Sequence, residues 1–97
     1  MKPLHIAPIA EDELREARTW YEAQGPGLGR RLVDAVGAVL AGIQENPLRF
    51  PVVHEDIRRA IVRRFPYGVF FRDRIDDVFV IAIVHLHRHP DTWKRRG

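Results

Sequence analysis

Three histidines follow the most apolar run of the chain, and their spacing could support acid–base chemistry. Imidazole titrates near neutrality, so His85, His87 or His89 could act as an acid or a base. A polar residue that ends a buried strand often hydrogen-bonds a neighbouring loop, so a structural role for the histidines stays open.

The alternating histidines also raise the question of a metal site. On one strand face, His85 and His87 would lie about 6.6–6.8 Å apart along the backbone, close enough to share an ion. Alternating histidines without a nearby carboxylate are more often not ligands. The glycines at 25, 27 and 29 lack the preceding strand and the Lys-Ser/Thr pair of a phosphate loop. We therefore expect no metal and no cofactor.

Positive charge is concentrated in the second half of the chain. Residues 1–56 carry six Lys/Arg against nine Asp/Glu, whereas residues 57–97 carry ten against four. A basic segment of this kind predicts contact with nucleic acid or with an acidic partner. The alternative is that arginines protect an edge strand from aggregation. The predicted target-binding residues are Arg58, Arg59, Arg63, Arg72, Lys94, Arg95 and Arg96.

The length and composition limit the class of protein. Ninety-seven residues are enough for a single domain, spanning 1–97, with one hydrophobic core. Cysteine is absent, which excludes disulfides and thiolate metal sites. The longest apolar run, 78–84, is far short of the ~20 residues of a membrane helix, and no apolar leader opens the chain. We expect a cytoplasmic protein that does not contact a membrane.

Strand-like segments dominate residues 57–90. The first runs from Ile57 to Phe65 and stops at Pro66, and a second starts near Tyr67 and reaches about Asp73. A polar turn then leads into 78–86, an almost unbroken run of Val, Ile, Phe and Ala that is typical of a central strand. Side-chain alternation predicts that His85 and His87 share the face of the residues at 79, 81 and 83.

Helical patterns dominate the first half, after a short strand candidate at 3–7. Apolar spacing predicts helices over 9–24 and from 28 to about 46, separated by Gly25-Pro26-Gly27. Residues 48–56 are predicted as a loop. The tail, 91–97, is predicted as one turn in which Trp93 packs down and the cations at 94–96 face solvent. The predicted fold class is α+β: an N-terminal strand, an antiparallel two-helix hairpin packed on a mainly antiparallel sheet of about four strands, and a short basic C-terminal turn.

Several short motifs, taken in order, resemble the RelE/ParE-type toxins of bacterial type II toxin–antitoxin systems, especially the ParE-like plasmid stabilisation toxins. The matching segments are Trp20-Tyr21-Glu22, Gly25-Pro26-Gly27-Leu28-Gly29, Glu45-Asn46-Pro47 with Phe50, Ile57-Arg58-Arg59, Arg64-Phe65-Pro66-Tyr67, and the closing His85, Arg88, Pro90, Trp93 and Arg96. The resemblance covers essentially the whole chain and implies the same fold.

The resemblance implies a growth-inhibiting toxin but leaves its target open. The helix-hairpin match and the segment 64–67 slightly favour the ParE-like branch, which inhibits DNA gyrase without evident catalytic residues. The alternative that the resemblance implies is a RelE-like, ribosome-dependent mRNA endonuclease using the His and Arg groups at the end of the sheet. Such cleavage needs a base for the ribose 2′-hydroxyl, an acid for the leaving oxygen and cations facing the developing phosphorane charge. For this alternative the candidate catalytic residues are His85, His87, Arg64, Arg88 and Tyr67. The stretch between Lys2 and Lys94 contains no lysine, which argues against a lysine-rich version of that enzyme. A degenerate, non-toxic member that still binds an antitoxin is a third alternative.

The resemblance also implies a protein partner. In this family an antitoxin, disordered in part when free, wraps the toxin and neutralises it, so we expect a hetero-oligomer. The contact is predicted at Leu14, Arg18 and Tyr21 on the first helix, or along the edge strand Ile57 to Phe65.

Overall fold

Two long helices and five strands form the part of the chain that a computed structural model describes, residues 1–88 and 90–96. In chain order these are β1 (Leu4–Ile6), α1 (Pro8–Gln24), α2 (Leu28–Glu45), a 3₁₀ turn (Pro47–Arg49), β2 (Val52–His54), β3 (Ile57–Ile61), β4 (Tyr67–Asp73), β5 (Val78–His85) and a closing 3₁₀ turn (Thr92–Arg95). The sheet order is β1-β5-β4-β3-β2, with β1 parallel to β5 and the other pairs antiparallel. The α+β class is confirmed, with five strands rather than about four.

The helical hairpin is fastened where the two helices meet. Gly27 adopts a left-handed φ of 85°, and Gly29 packs so closely that a Cβ there would lie 2.8 Å from the carbonyl oxygen of Arg18. The Glu22 carboxylate accepts hydrogen bonds from the backbone N–H groups of Gly27 and Gly29, both at 3.0 Å. These bonds lower the pKa of Glu22 and cap the start of α2, which has no capping side chain of its own. None of the helices within residues 1–88 and 90–96 is long and apolar enough to cross a membrane.

Both faces of the sheet carry buried apolar side chains. The larger cluster joins the helices to the sheet and includes Leu32, Val36, Ile43, Val69, Phe71, Val80 and Ile83. A smaller cluster covers the opposite face and includes Ile57, Phe70, Ile81, Val84 and Trp93. The Trp93 ring stacks on Phe70 at 4.2 Å, which confirms that it packs down. The expectation of one core is wrong, because the tail covers the face that the helices leave open.

β2 and β3 differ from the sequence-based boundaries. β3 ends at Ile61 instead of Phe65, because the chain turns at Arg64, whose φ is 69°. β2 lies in the predicted loop, where Pro51 and the short length hide its strand character. The Arg59 N–H donates to the Pro51 carbonyl at 3.1 Å, so β2 covers the first half of β3 and only the second half is an open edge.

A bulge in β5 changes which side chains share a face. Phe70 pairs with Ala82 and Phe71 with Val80, so Ile81 is the extra residue. Ile83 therefore packs towards the helices while Ile81 packs on the opposite face, and the predicted common face is wrong. β5 is interior as expected, but β4 is the central strand because β1 adds to the outer side of β5.

Candidate functional site

A cavity of about 380 Å³ opens where α1 passes the end of β5, and we call it the end pocket. Residues on one face of α1 form one wall, and the end of the sheet with the following turn forms the other. Its lining includes Glu13, Glu16, Trp20, Tyr67, Ile83, His85, Arg88, Thr92 and Arg96. Three of the five predicted catalytic residues, Tyr67, His85 and Arg88, therefore come together here.

The His85 ring shapes the turn that follows β5. Its Nδ1 atom accepts hydrogen bonds from the backbone N–H groups of His87, at 3.1 Å, and Arg88, at 3.2 Å. A nitrogen that accepts a hydrogen bond carries no proton, so a neutral His85 ring has its proton on Nε2. The imidazole lies 5.4 Å from the Tyr67 ring, its partner across the β4–β5 pair. His85 thus has a defined structural task at the end of the strand.

Tyr67 and Arg88 complete this wall of the end pocket. Burial raises the pKa of the Tyr67 phenol, and the charge of Arg88 opposes that shift. The Arg88 guanidinium lies over the Trp20 ring, 5.3 Å from its centroid, as in a cation–π contact. The phenol is therefore protonated at neutral pH and can donate a hydrogen bond, while Arg88 holds positive charge at the mouth.

Arg64 lies in a different cavity. A groove of about 1050 Å³ runs between α2 and β3, and we call it the arginine groove. Its lining is largely apolar and carries four arginines and one acidic residue, Asp34. The lining includes Tyr21, Leu28, Arg31, Asp34, Ala35, Val39, Arg49, Phe50, Ile61, Arg63, Arg64 and Phe65. Tyr21 makes edge-to-face contacts with Phe65, at 5.1 Å between ring centroids, and with Tyr67, at 6.1 Å, so these three rings lie between the groove and the end pocket.

His87 faces a third cavity, on the side of the sheet opposite the helices. This back pocket, about 320 Å³, is lined by His87, Arg59, Leu86, Pro90 and Trp93 among others. Arg59 Nε is buried there without a hydrogen-bond partner among the described residues. The predicted catalytic residues are thus divided among three cavities, and His89, which was considered with them, lies outside the described residues.

Several of the predicted target-binding cations are engaged within the protein. Arg58 donates to the Phe50 carbonyl at 2.6 Å, Arg72 bonds Asp56 and the Arg96 carbonyl, and Lys94 pairs with Asp91 at 2.9 Å. Arg96 pairs with Glu13 and is only partly exposed, so the prediction that the cations at 94–96 all face solvent is wrong. Within residues 1–88 and 90–96, no ion pair engages Arg59, Arg63 or Arg95.

The predicted antitoxin-binding residues have different environments. Leu14 packs against the core, Arg18 is exposed on α1, and Tyr21 lines the arginine groove. The sequence reasoning missed Glu13 and Trp20 in the end pocket, although their spacing on α1 places both on one helix face. In the described part of the chain, which omits His89, no group of three or more His, Asp or Glu side chains is placed to hold a metal ion.

Comparison with known proteins bears on the whole chain. Residues 4–90 match the family model described as "ParE toxin of type II toxin-antitoxin system, parDE". No curated protein matches. A solved structure titled "Chromosomal ParDE TA system from P. aeruginosa" is similar in fold, with a TM-score of 0.78 and 18% sequence identity over 88% of this chain and 96% of that chain. On the strength of the family match, the chain belongs to the ParE family, the toxins of type II toxin–antitoxin systems.

Proposed function

We propose that this toxin arrests growth by binding DNA gyrase rather than by cleaving RNA. The observation that supports this choice is the division of the candidate catalytic groups. Arg64 lines the arginine groove, His87 the back pocket, and only Tyr67, His85 and Arg88 share the end pocket. An RNA-cleaving site needs an acid, a base and phosphate clamps within reach of one phosphate. A binding surface has no such requirement.

The residues of the end pocket fit a structural role better than a catalytic one. The Nδ1 atom of His85 is occupied by two backbone N–H donors. The raised pKa of Tyr67 makes the phenol a poor base at neutral pH. Arg88 lies over Trp20, where it joins the turn to α1. These contacts hold the end of the sheet in shape without requiring a reaction there.

A matched pair of substitutions tests the proposal. In His85→Asn the amide oxygen can replace Nδ1 as the acceptor for the turn, whereas the imidazole is lost. His85→Ala loses both. We expect wild-type growth arrest from His85→Asn, transcripts with intact 5′ ends, and inhibition of supercoiling by purified gyrase with accumulation of cleaved DNA. New transcript 5′ ends that disappear in His85→Asn would instead establish RNA cleavage at the end pocket. Arrest with neither signature would exclude both targets.

The ParE family implies an antitoxin as the protein partner, and we propose that it binds in the arginine groove. The groove combines apolar side chains with Arg31, Arg49, Arg63 and Arg64, and its one acidic lining residue, Asp34, leaves it with a net positive charge. This combination suits a segment that carries both apolar and acidic side chains. Tyr21 contributes to the lining, whereas Leu14 and Arg18 of the original prediction do not line the groove.

The open half of β3 adds a backbone component to this surface. The Arg59 N–H points towards β2, so by the alternation of strand hydrogen bonds the N–H and C=O of Ile61 point the same way. β2 does not extend beside Ile61, whose side chain is 50% exposed. An extended antitoxin segment could add there as a further strand.

Two exposed arginines provide a matched test of the groove. Arg31 lines it, whereas Arg15 lies on α1 outside the lining and pairs with Asp12, which is also outside it. We expect Arg31→Glu to weaken antitoxin binding about ten-fold or more and Arg15→Glu to leave it within about two-fold. The measurement is isothermal titration calorimetry with the cognate antitoxin, together with amide exchange at Ile61. Equal effects of the two variants, or an Ile61 amide unprotected in the complex, would exclude the arginine groove and the open edge of β3 as the antitoxin-binding site.

A further inference from the structure

The outer edge of β5 is only partly covered by its neighbouring strand. β1 pairs with Val78 to Val80, and the Ala7 N–H makes the last backbone bond, to the Val80 carbonyl at 2.8 Å. Beyond this point the chain turns into α1. The bulge at Ile81 then brings the Ile81 carbonyl and the Ile83 N–H to the outer edge, where no strand pairs with them. Backbone groups left in this way need other partners.

Two side chains from distant parts of the chain supply those partners. The Glu13 carboxylate accepts a hydrogen bond from the Ile83 N–H at 3.1 Å. The Arg96 guanidinium donates to the Ile81 carbonyl at 3.2 Å and to both oxygens of Glu13, at 2.8 and 3.0 Å. Both side chains are about one-fifth exposed, at 19% and 18%. Glu13 thus satisfies the Ile83 N–H, Arg96 satisfies the Ile81 carbonyl, and the two side chains are bonded to each other.

The pair reproduces the bonds of a missing strand residue. In a parallel ladder, one residue donates its N–H to the carbonyl before the facing residue and accepts from the N–H after it. Around Ala82 those two groups are the Ile81 carbonyl and the Ile83 N–H. Arg96 and Glu13 together donate to the first and accept from the second. An ordinary ion pair would not need this alignment with the backbone.

The same contacts fasten the C-terminal segment across the edge of the sheet. Trp93 stacks on Phe70 on the face opposite the helices, while the Arg96 side chain reaches Glu13 on α1. The Arg96 carbonyl also accepts from Arg72 at 3.0 Å. Lys94 and Arg95 lie between these anchors and are exposed. The segment that carries the predicted target-binding cations is therefore held at both ends.

We propose that Glu13 and Arg96 form a backbone plug, a side-chain substitute for a strand residue that closes the edge of β5 and positions the basic C-terminal segment. Glu13 and Arg96 are thus positioning residues for Lys94 and Arg95. The inference goes beyond the proposed function and rests on it only for the growth-arrest measurement below. Its structural measurements stand whether the target is gyrase or RNA.

Exchanging the two residues separates a plug from an ordinary ion pair. The double variant Glu13→Arg/Arg96→Glu keeps opposite charges, but arginine cannot accept from the Ile83 N–H and glutamate cannot donate to the Ile81 carbonyl. Glu13→Gln makes the opposite change, because it removes the charge and keeps an acceptor for Ile83. The plug predicts that the exchanged pair fails and Glu13→Gln succeeds. An ion pair predicts the reverse.

The primary measurement is hydrogen exchange at the Ile83 amide, with the Val69 amide in β4 as the control for global stability. We expect exchange at Ile83 to rise about ten-fold or more in Glu13→Ala and in the exchanged pair, and to stay within about three-fold of wild type in Glu13→Gln. Wild-type protection of Ile83 in the exchanged pair would overturn the proposal. So would wild-type protection in Glu13→Ala.

Arg96→Ala provides a second test that leaves the helix–sheet core untouched. In a Trp20→Phe background, the emission of Trp93 should shift to the red as the segment loosens, and exchange at Ile83 should rise. Growth arrest should weaken in this variant and also in Lys94→Ala/Arg95→Ala, which keeps the plug. Trp93 emission and Ile83 exchange equal to wild type would refute the plug. A loosened segment with full growth arrest would refute the positioning role alone.

Discussion

Backbone strain at Arg64 predicts that a glycine variant is more stable than an alanine variant at this position. At the neighbouring Arg63, which has no positive φ, the order should be the reverse. Arg64 has a left-handed φ of 69°, which costs a residue with a Cβ about 1–2 kcal/mol. Glycine avoids this cost but loses about 0.5–1 kcal/mol of stability through the freedom of its unfolded chain. Arg64→Gly should therefore be more stable than Arg64→Ala by about 0.5–1 kcal/mol, or about 2–8 °C in Tm for a domain of this size.

Arg63 is the control for this comparison. It is exposed like Arg64, lines the same groove and has no positive φ. Arg63→Gly should be less stable than Arg63→Ala by about 0.4–1 kcal/mol, since only the unfolded-chain cost remains. Urea unfolding of the four variants at one pH measures the midpoints, with equal slopes as the check on two-state behaviour. Arg64→Gly with a midpoint equal to or below that of Arg64→Ala would refute the strain argument.

Three further predictions concern stability. Gly29→Ala should lower the unfolding free energy by about 1–3 kcal/mol, because its Cβ would meet the Arg18 carbonyl, whereas Gly37→Ala, with open space around it, should raise it by about 0.5–1 kcal/mol in urea unfolding. Trp93→Ala should cost about 3–5 kcal/mol by the same measurement, since its ring is 6% exposed, and Trp20→Ala, 46% exposed, should cost clearly less. Hydrogen bonds from Arg74, and then from His5, hold the pKa of Asp77 well below its usual range, so the stability this group contributes is present above about pH 4 and is lost as the pH falls further. Asp77→Asn should therefore show a weaker loss of stability on acidification below pH ~4 than the wild type, and parallel acid profiles would contradict this.

Local signals in the sequence account for the helices and for two of the strands. Gly25-Pro26-Gly27 marks the hairpin, and α2 ends at Glu45, one residue before Asn46 and close to the predicted end. β4 and β5 follow from their unbroken apolar runs. In each case the determining interaction lies within a few residues of the element, so periodicity and turn chemistry are sufficient.

The missed features depend on contacts that a linear pattern does not contain. β2 becomes a strand only because β3 pairs with it, and the bulge at Ile81 depends on how β4 and β5 fit together. Arg64 adopts a left-handed conformation, but arginine is not a residue type that signals one. Arg96 looked like one more tail cation, because Glu13 lies 83 residues away along the chain. The sequence likewise could not show that the candidate catalytic residues lie in three different cavities, because their placement also depends on contacts between distant parts of the chain.

The contacts at the outer edge of β5 join residues that are far apart in the sequence, and this affects the order in which structure forms during synthesis. Glu22 bonds the N–H groups of Gly27 and Gly29, five and seven residues later, so the turn between the helices can form early, and the hairpin needs only the residues up to Glu45. β1 cannot pair with β5 until Val78 has been synthesised. Glu13 bonds Ile83 and Arg96, which lie 70 and 83 residues later in the sequence. Long-range pairings of this kind form late. During synthesis the N-terminal half therefore acquires helical structure early, but the edge of the sheet closes only after Arg96 has left the ribosome. A chain that terminates before Arg96 would lack this contact.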